Sequence, residues 1–218
     1  MKYTALHSSR RCLLVRIAAL GPLTVLNPAL AQVLLKTPRQ SRGPFYPAKL
    51  LLDDDNDLVQ VKGQPQPAKG TVTHICGHVL DMTGRPLRRS SVRIWQCNAF
   101  GRYHHPRDRR DMPLDPGFQS TGHFVTGDDG AYRFRTIKPV PYPGRTPHIH
   151  FEVSGAGFNP ITTQMYVAGE PDNKRDGLLN SIRDEASRKS VIVDLNPSQQ
   201  LNNELAGEFD IVVGDMPG

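Results

Sequence analysis

The stretch His148-Ile149-His150-Phe151-Glu152-Val153, closed by Ser154-Gly155-Ala156-Gly157, decides the fold. Polar and apolar residues alternate along it with the two-residue period of a strand that buries one face, and the small residues behind it stop that strand. The pattern recurs in both directions. Upstream, Val72 to Leu80 reads as a strand, Asp81-Met82-Thr83-Gly84-Arg85-Pro86 as a turn, and Ser91 to Gln96 as the returning strand. Gly122 to Thr126 and Tyr132 to Arg135 flank Gly127-Asp128-Asp129-Gly130, whose residues tolerate the positive φ of a hairpin turn. Downstream, Ile161 to Val167, Val191 to Leu195 and Phe209 to Val213 bring the number to about eight, and the one helix-like window is Leu178 to Lys189. Many short strands at this spacing predict an all-β fold, an antiparallel β-sandwich over residues 71–218. Residues 32–70 read as an irregular N-terminal arm. Its acidic run, Asp53-Asp54-Asp55-Asn56-Asp57, lacks the Gly and closing Glu of a calcium loop and reads as a solvated turn.

Composition removes several classes of function. Gly 19 and Pro 19 in 218 residues mean many turns but not a low-complexity chain, and three Cys exclude a disulfide scaffold or a four-thiolate zinc module. The net charge of +6 is concentrated at the N-terminus. Residues 1–31 hold Lys2, Arg10, Arg11 and Arg16 and no acid, leaving 23 basic against 21 acidic residues in the rest. No basic stripe interleaved with aromatics remains, so nucleic acid is not an expected partner. Ser9-Arg10-Arg11-Cys12-Leu13-Leu14 resembles a twin-arginine export motif, and Ala29-Leu30-Ala31 a small-x-small cleavage site. Residues 1–31 are therefore expected to be an export signal, with a Sec signal or a retained amphipathic terminus as alternatives, and the mature chain to be periplasmic or secreted. The apolar run, broken by Arg16 and Pro22, is too short for a membrane span, and no Cys follows the cleavage site to carry a lipid, so no membrane anchor is expected.

In a strand, His148 and His150 project from the same face, roughly 7 Å apart, while Ile149 faces the other way. A His-x-His pair alone is also what two histidines on a wet face look like. Two tyrosines add weight. Tyr142 sits in Pro139-Val140-Pro141-Tyr142-Pro143-Gly144, where prolines restrict the backbone, and Tyr103 ends Trp95-Gln96-Cys97-Asn98-Ala99-Phe100-Gly101-Arg102-Tyr103. Two phenols and two imidazoles with no thiolate suit a hard, highly charged ion such as Fe(III) better than zinc.

Ile94-Trp95-Gln96, Gly101-Arg102-Tyr103, Arg145-Thr146-Pro147-His148-Ile149-His150-Phe151 and Gly127 to Pro139 together resemble the intradiol ring-cleavage dioxygenases. The likeness runs from about Gly43 to Val213 and is strongest to the iron-binding (β) subunits of the protocatechuate-cleaving branch. It implies a non-haem Fe(III) held by Tyr103, Tyr142, His148 and His150, with Tyr142 and His150 axial and Tyr142 displaced by substrate. It implies O2 and a catechol-type small molecule as partners, and a muconate-type dicarboxylic acid as product. Arg145 matches the arginine that stabilises negative charge developing on the substrate, and Gln164 a glutamine beside it. Tyr46, in Gly43-Pro44-Phe45-Tyr46-Pro47, matches a segment that lines the site's mouth. The loop between Tyr142 and Arg145 is shorter than in the protocatechuate branch, and Gly144 stands where that branch carries a Trp, which implies a more open site. The helical dimerisation region of catechol 1,2-dioxygenases is also not seen in residues 32–70. Self-association into a homo-oligomer stays open.

Competing readings are a non-catalytic, transthyretin-like binding sandwich and a copper-binding one. His104 and His105 are expected to face solvent, Trp95 to belong to the core, and His74, His78 and His123 to be satisfied strand residues. The turn at Gly84 sets Cys76 opposite about Val92, so a Cys76–Cys97 disulfide is not expected.

Overall fold

The computed structural model describes residues 34–47, 53–198, 201 and 203–214. The export reading over residues 1–31 lies outside them. Among the described residues, ten strands form in chain order: β1 (Val72–Asp81), β2 (Ser91–Trp95), β3 (Thr121–Val125), β4 (Ala131–Ile137), β5 (His148–Gly155), β6 (Phe158–Val167), β7 (Ile192–Val193), β8 (Asn196–Pro197), β9 (Leu205–Glu208) and β10 (Ile211–Val213). All eight expected strands are present, and the two-residue β8 and the four-residue β9 are additions with too little sequence to show a period.

Two sheets face each other. In one, β1 pairs antiparallel with β4, and its other edge is shared by β9 along Thr73–Cys76 and β10 along Val79–Asp81, both parallel, with β8 outside β9. The second runs β3-β2-β5-β6-β7, antiparallel except at β6–β7. The sandwich is thus mostly antiparallel, and the parallel pairs correct a purely antiparallel reading. The expected hairpins are also corrected. The turn after β1 leads into the opposite sheet, and Gly127–Gly130 carries the chain from β3 in one sheet to β4 in the other. Cys76 and Cys97 therefore belong to different layers, and no disulfide joins them.

Alternation places Ile75 and Val79 of β1, Phe134 of β4, Val92 and Ile94 of β2, and Ile149, Phe151 and Val153 of β5 in one core between the sheets. The switch from β9 to β10 beside β1 depends on Gly77. A Cβ there would lie 2.0 Å from the Phe209 carbonyl oxygen, which also accepts from Tyr132 Oη.

The arm has no regular element among its described residues beyond one bridge, Asp57 to Arg135. Its acidic run is more than a solvated turn. Asp54 accepts two hydrogen bonds from Arg93 of β2, at 2.7 and 3.0 Å, and Asp57 pairs with Arg135 of β4, so the run ties both sheets together while Leu58 and Val59 enter the core. The helix-like window splits into α1 (Gly177–Asn180) and α2 (Glu185–Ser190), capped by Asp176 and Asp184. Among the described residues, no helix is long and apolar enough to cross a membrane.

Candidate metal centre

Ile149 faces the core, so His148 and His150 project from the outer face of the second sheet, yet both are only 1–2% exposed. Their neighbours on that face come from the strand register. His150 sits between Trp95 of β2 and Gln164 of β6, and His148 stands opposite Tyr166. Trp95 and His150 stack with ring planes 4° apart and centroids 4.8 Å apart. Trp95 is buried, as expected, but in this outer aromatic cluster and not between the sheets.

Three segments cover the face. The first is the arm: Gln40 donates to Tyr166 Oη at 2.8 Å and accepts from the Gln164 backbone at 3.1 Å. Gly43, at φ +68, carries the backbone across the His150 ring, where a Cβ would lie 3.4 Å from Cε1. Phe45 stacks on Tyr103 with centroids 4.8 Å apart. Tyr46 points elsewhere, donating to Glu152 at 2.9 Å beneath Arg42.

The second segment delivers Tyr103. Asn98 Oδ1 accepts from the backbones of Phe100 and Arg102, closing a tight turn through Gly101, and the Tyr103 backbone donates to Asp108 at 2.7 Å. Asp108 also holds Arg110, whose guanidinium lies 4.8 Å over the Tyr142 ring. His104 is exposed and His105 half-buried, both edging a cavity of about 380 Å³ with Phe45, Trp95 and Tyr103.

The third is a β-turn, Tyr142-Pro143-Gly144-Arg145, closed by the Arg145 N–H donating to the Tyr142 carbonyl at 2.8 Å. Pro presets the second position, and Gly144 at φ +80 meets the left-handed third position of a type II turn, so the Tyr142 and Arg145 side chains emerge together. Arg145 Nη1 lies 3.5 Å from Tyr142 Oη, and Nη2 donates to Gln164 Oε1 at 2.5 Å. A second cavity, of about 500 Å³, opens here between Tyr142, Gly144, Arg145, Arg175 and Asp176.

The four candidate ligands form a closed circuit of rings. Centroids are 5.7 Å apart for Tyr103–Tyr142, 5.4 Å for Tyr142–His148, 4.9 Å for His148–His150 and 6.3 Å for Tyr103–His150. His148 Nδ1 lies 2.6 Å from the Thr146 carbonyl oxygen, which can only accept. The proton is therefore on Nδ1, and the Nε2 lone pair is directed toward Tyr142 Oη, 3.4 Å away. Tyr103 Oη and His150 Nδ1 are buried with no hydrogen-bond partner among the described residues, a state that costs about 1–3 kcal/mol per group unless something else engages it. Burial, then Arg145, lowers the His148 pKa to about 4, and burial, then His148 and Arg145, holds His150 well below its ordinary value. Both imidazoles are neutral near pH 7, with lone pairs to donate. Burial raises both phenols, with Arg145 acting against it at Tyr142. A strongly charged cation among these oxygens would reverse that direction. The donor set fits a hard, highly charged ion.

Sequence reasoning identified this set and Arg145, and it missed Phe45, Asp108, Tyr166 and Asp176. Only Asp176 left a trace, an Asp just ahead of the helix-like window.

Residues 41–214 match the family described as Dioxygenase. The chain is 40% identical over 188 residues to the protocatechuate 3,4-dioxygenase beta chain of Burkholderia cepacia, covering 80% of this chain and 78% of that one. It is 29% identical to the catechol 1,2-dioxygenase of Candida albicans over 77% of its own length, but spans only 57% of that enzyme. The solved dioxygenase domain of a dioxygenase–carbohydrate-binding fusion from Streptomyces sp. SirexAA-E superposes with a TM-score of 0.61 at 29% identity, covering 82% of this chain and 97% of that one.

Proposed function

Because the chain belongs to the intradiol ring-cleavage dioxygenase family, we propose that Tyr103, Tyr142, His148 and His150 hold a non-haem Fe(III). The observation that carries this is the circuit of two phenols and two neutral imidazoles, in which Tyr103 Oη is buried with no hydrogen-bond partner among the described residues. The substrate is a catechol-type ring opened between its two hydroxyls. Both atoms of O2 enter the muconate-type product, so the reaction balances without a further reductant. When bound, the ferric ion supplies the Lewis acidity that favours the doubly deprotonated ring and its reaction with O2.

The protein's own residues divide the remaining work. Tyr103 is 2% exposed and stays in place, whereas Tyr142 is half-buried at the cavity over Gly144, where its Oη, as the phenolate that a bound ferric ion would favour, could take a proton from an incoming hydroxyl. Arg145 presents a fixed cation at the same opening, and Gln164 braces it. A preorganised charge needs no reorganisation when negative charge develops on the ring. The arm over His150 and Phe45 over Tyr103 exclude water from the ligand set. A non-catalytic sandwich has no use for this half-buried cation beside the phenols. Purified protein should carry about one iron per chain, be coloured by phenolate-to-iron charge transfer, and consume one O2 per catechol opened. Tyr103→Phe should lose colour and most of the iron. Colourless protein with stoichiometric zinc or copper would overturn the assignment.

The likeness of Ser9-Arg10-Arg11-Cys12-Leu13-Leu14 to a twin-arginine motif supports a periplasmic or secreted enzyme that leaves the cytoplasm folded and loaded. Replacing Arg10 and Arg11 by Lys should leave active enzyme in the cytoplasmic fraction on cell fractionation.

A further inference from the structure

Asp176 is a fully engaged carboxylate at the site, and its side chain has no exposure. Oδ1 accepts from the backbones of Leu178 at 3.0 Å and Leu179 at 2.9 Å, starting α1. Oδ2 accepts from Arg145 Nε at 2.8 Å and from the Thr146 backbone at 3.0 Å. Four donors fill the lone-pair positions of one carboxylate, so it has a single orientation. The consequence for Arg145 is geometric. A guanidinium is planar, and a bond to Nε on its inner edge together with the bond from Nη2 to Gln164 fixes both its position and its plane, leaving Nη1 toward Tyr142. The same oxygen holds the N–H of Thr146, whose carbonyl accepts from His148 Nδ1. Thr146 Oγ1 is tied in turn to Asn173, so the anchor is stiff.

We propose that Asp176 is the positioning residue of the site, the group that fixes the guanidinium plane of Arg145 toward the substrate cavity. This rests on the ring-cleaving reading above, and adds a residue 31 positions from Arg145 that no motif near the ligands marks. Asp176 stands in the wall of that cavity, but its carboxylate has no exposure, so it acts through Arg145.

Asp176→Asn keeps the shape but sets an NH2 against either the helix N–H pair or the Arg145–Thr146 pair. Turnover should fall roughly tenfold to a hundredfold, the range for a small misplacement of a charge-stabilising group. KM for catechol should stay within about threefold, and iron content and the charge-transfer band should be unchanged. Asp184→Ala, which removes the cap of α2 and touches nothing at the site, should lower thermal stability and leave kcat unchanged. In an Arg145→Ala background, Asp176→Asn should cost less than about threefold in kcat, because the guanidinium is gone and Thr146 keeps its bond to Asn173. A readout independent of activity is hydrogen exchange of the Arg145 Nε–H in metal-free protein, which should be at least about tenfold faster in Asp176→Asn. If that variant does not fold, Asp176→Ser keeps an acceptor for the helix N–H groups but cannot reach Arg145, and should give the same pattern. Wild-type kcat in either variant, or an equal loss with and without Arg145, would overturn the proposal. A wild-type enzyme that opens no catechol would refute the functional reading instead, and the Nε–H exchange would still decide the role of Asp176.

Discussion

Substitution at Arg145 should separate metal binding from turnover. Its guanidinium is not among the four donors, so Arg145→Ala should retain iron and colour while kcat falls roughly a hundredfold or more, measured by O2 uptake. The same change leaves Asp176 buried without its counter-charge, so unfolding free energy should drop by about 3–5 kcal/mol in urea titrations. Single residues also show where sequence was legible and where it was not. His148, His150, Tyr142 and Arg145 fall within nine positions of one another, and strand alternation alone sets the two histidines on one face. Asp176 and Phe45 come from segments remote in sequence, brought in by docking of the arm and of α1, and a lone Asp or Phe carries no periodic signal of that. Within one short segment, the resemblance points to Tyr46 and not to its neighbour Phe45. The structure turns Phe45 to the ligands and Tyr46 to Glu152, a difference of one residue in an irregular backbone that no period governs.

The turn after β1 illustrates how a local device sets pH dependence. Burial works to raise the Asp81 pKa, but hydrogen bonds from Thr83 and Arg85 outweigh it and bring it down to about 2. A carboxyl lowered in the folded state contributes stability that is complete above about pH 4 and lost as pH falls toward 2. The stability difference between wild type and Asp81→Asn should therefore shrink by about 1 kcal/mol, solvent screening included, between pH 5 and pH 2 in urea titrations. This turn also marks the limit of pattern reading at this scale. Residues 72–96 and 122–135 announce strand, turn, strand, and those strands form. A turn that reverses the chain within a sheet uses the same Gly and Asp residues as one that crosses between sheets. The choice is made by long-range pairing, β1 with β4 and β2 with β5, which no short window contains.

Across the whole site, we expect the cavity over Gly144 to set the range of substrates. Among the described residues, nothing lies within 4 Å of where a Cβ at Gly144 would stand, so ring substituents should meet open space there. Losing one apolar wall removes about 1–3 kcal/mol of discrimination between similar rings. We therefore expect kcat/KM values for catechol, protocatechuate, a methylcatechol and a bulkier catechol to lie within about a hundredfold of one another. Activity confined to protocatechuate would show that another segment rebuilds the wall. At the opposite end of the fold, β1 is paired on one edge with β4 and on the other with β9 and β10, so Thr73 waits for Leu205. At about 5–20 residues per second of synthesis, that interval is on the order of ten seconds, during which β1 presents an open strand edge. The last strand made is thus the one that completes the first sheet begun, and a nascent chain stays a client for chaperones until Val213 has left the ribosome.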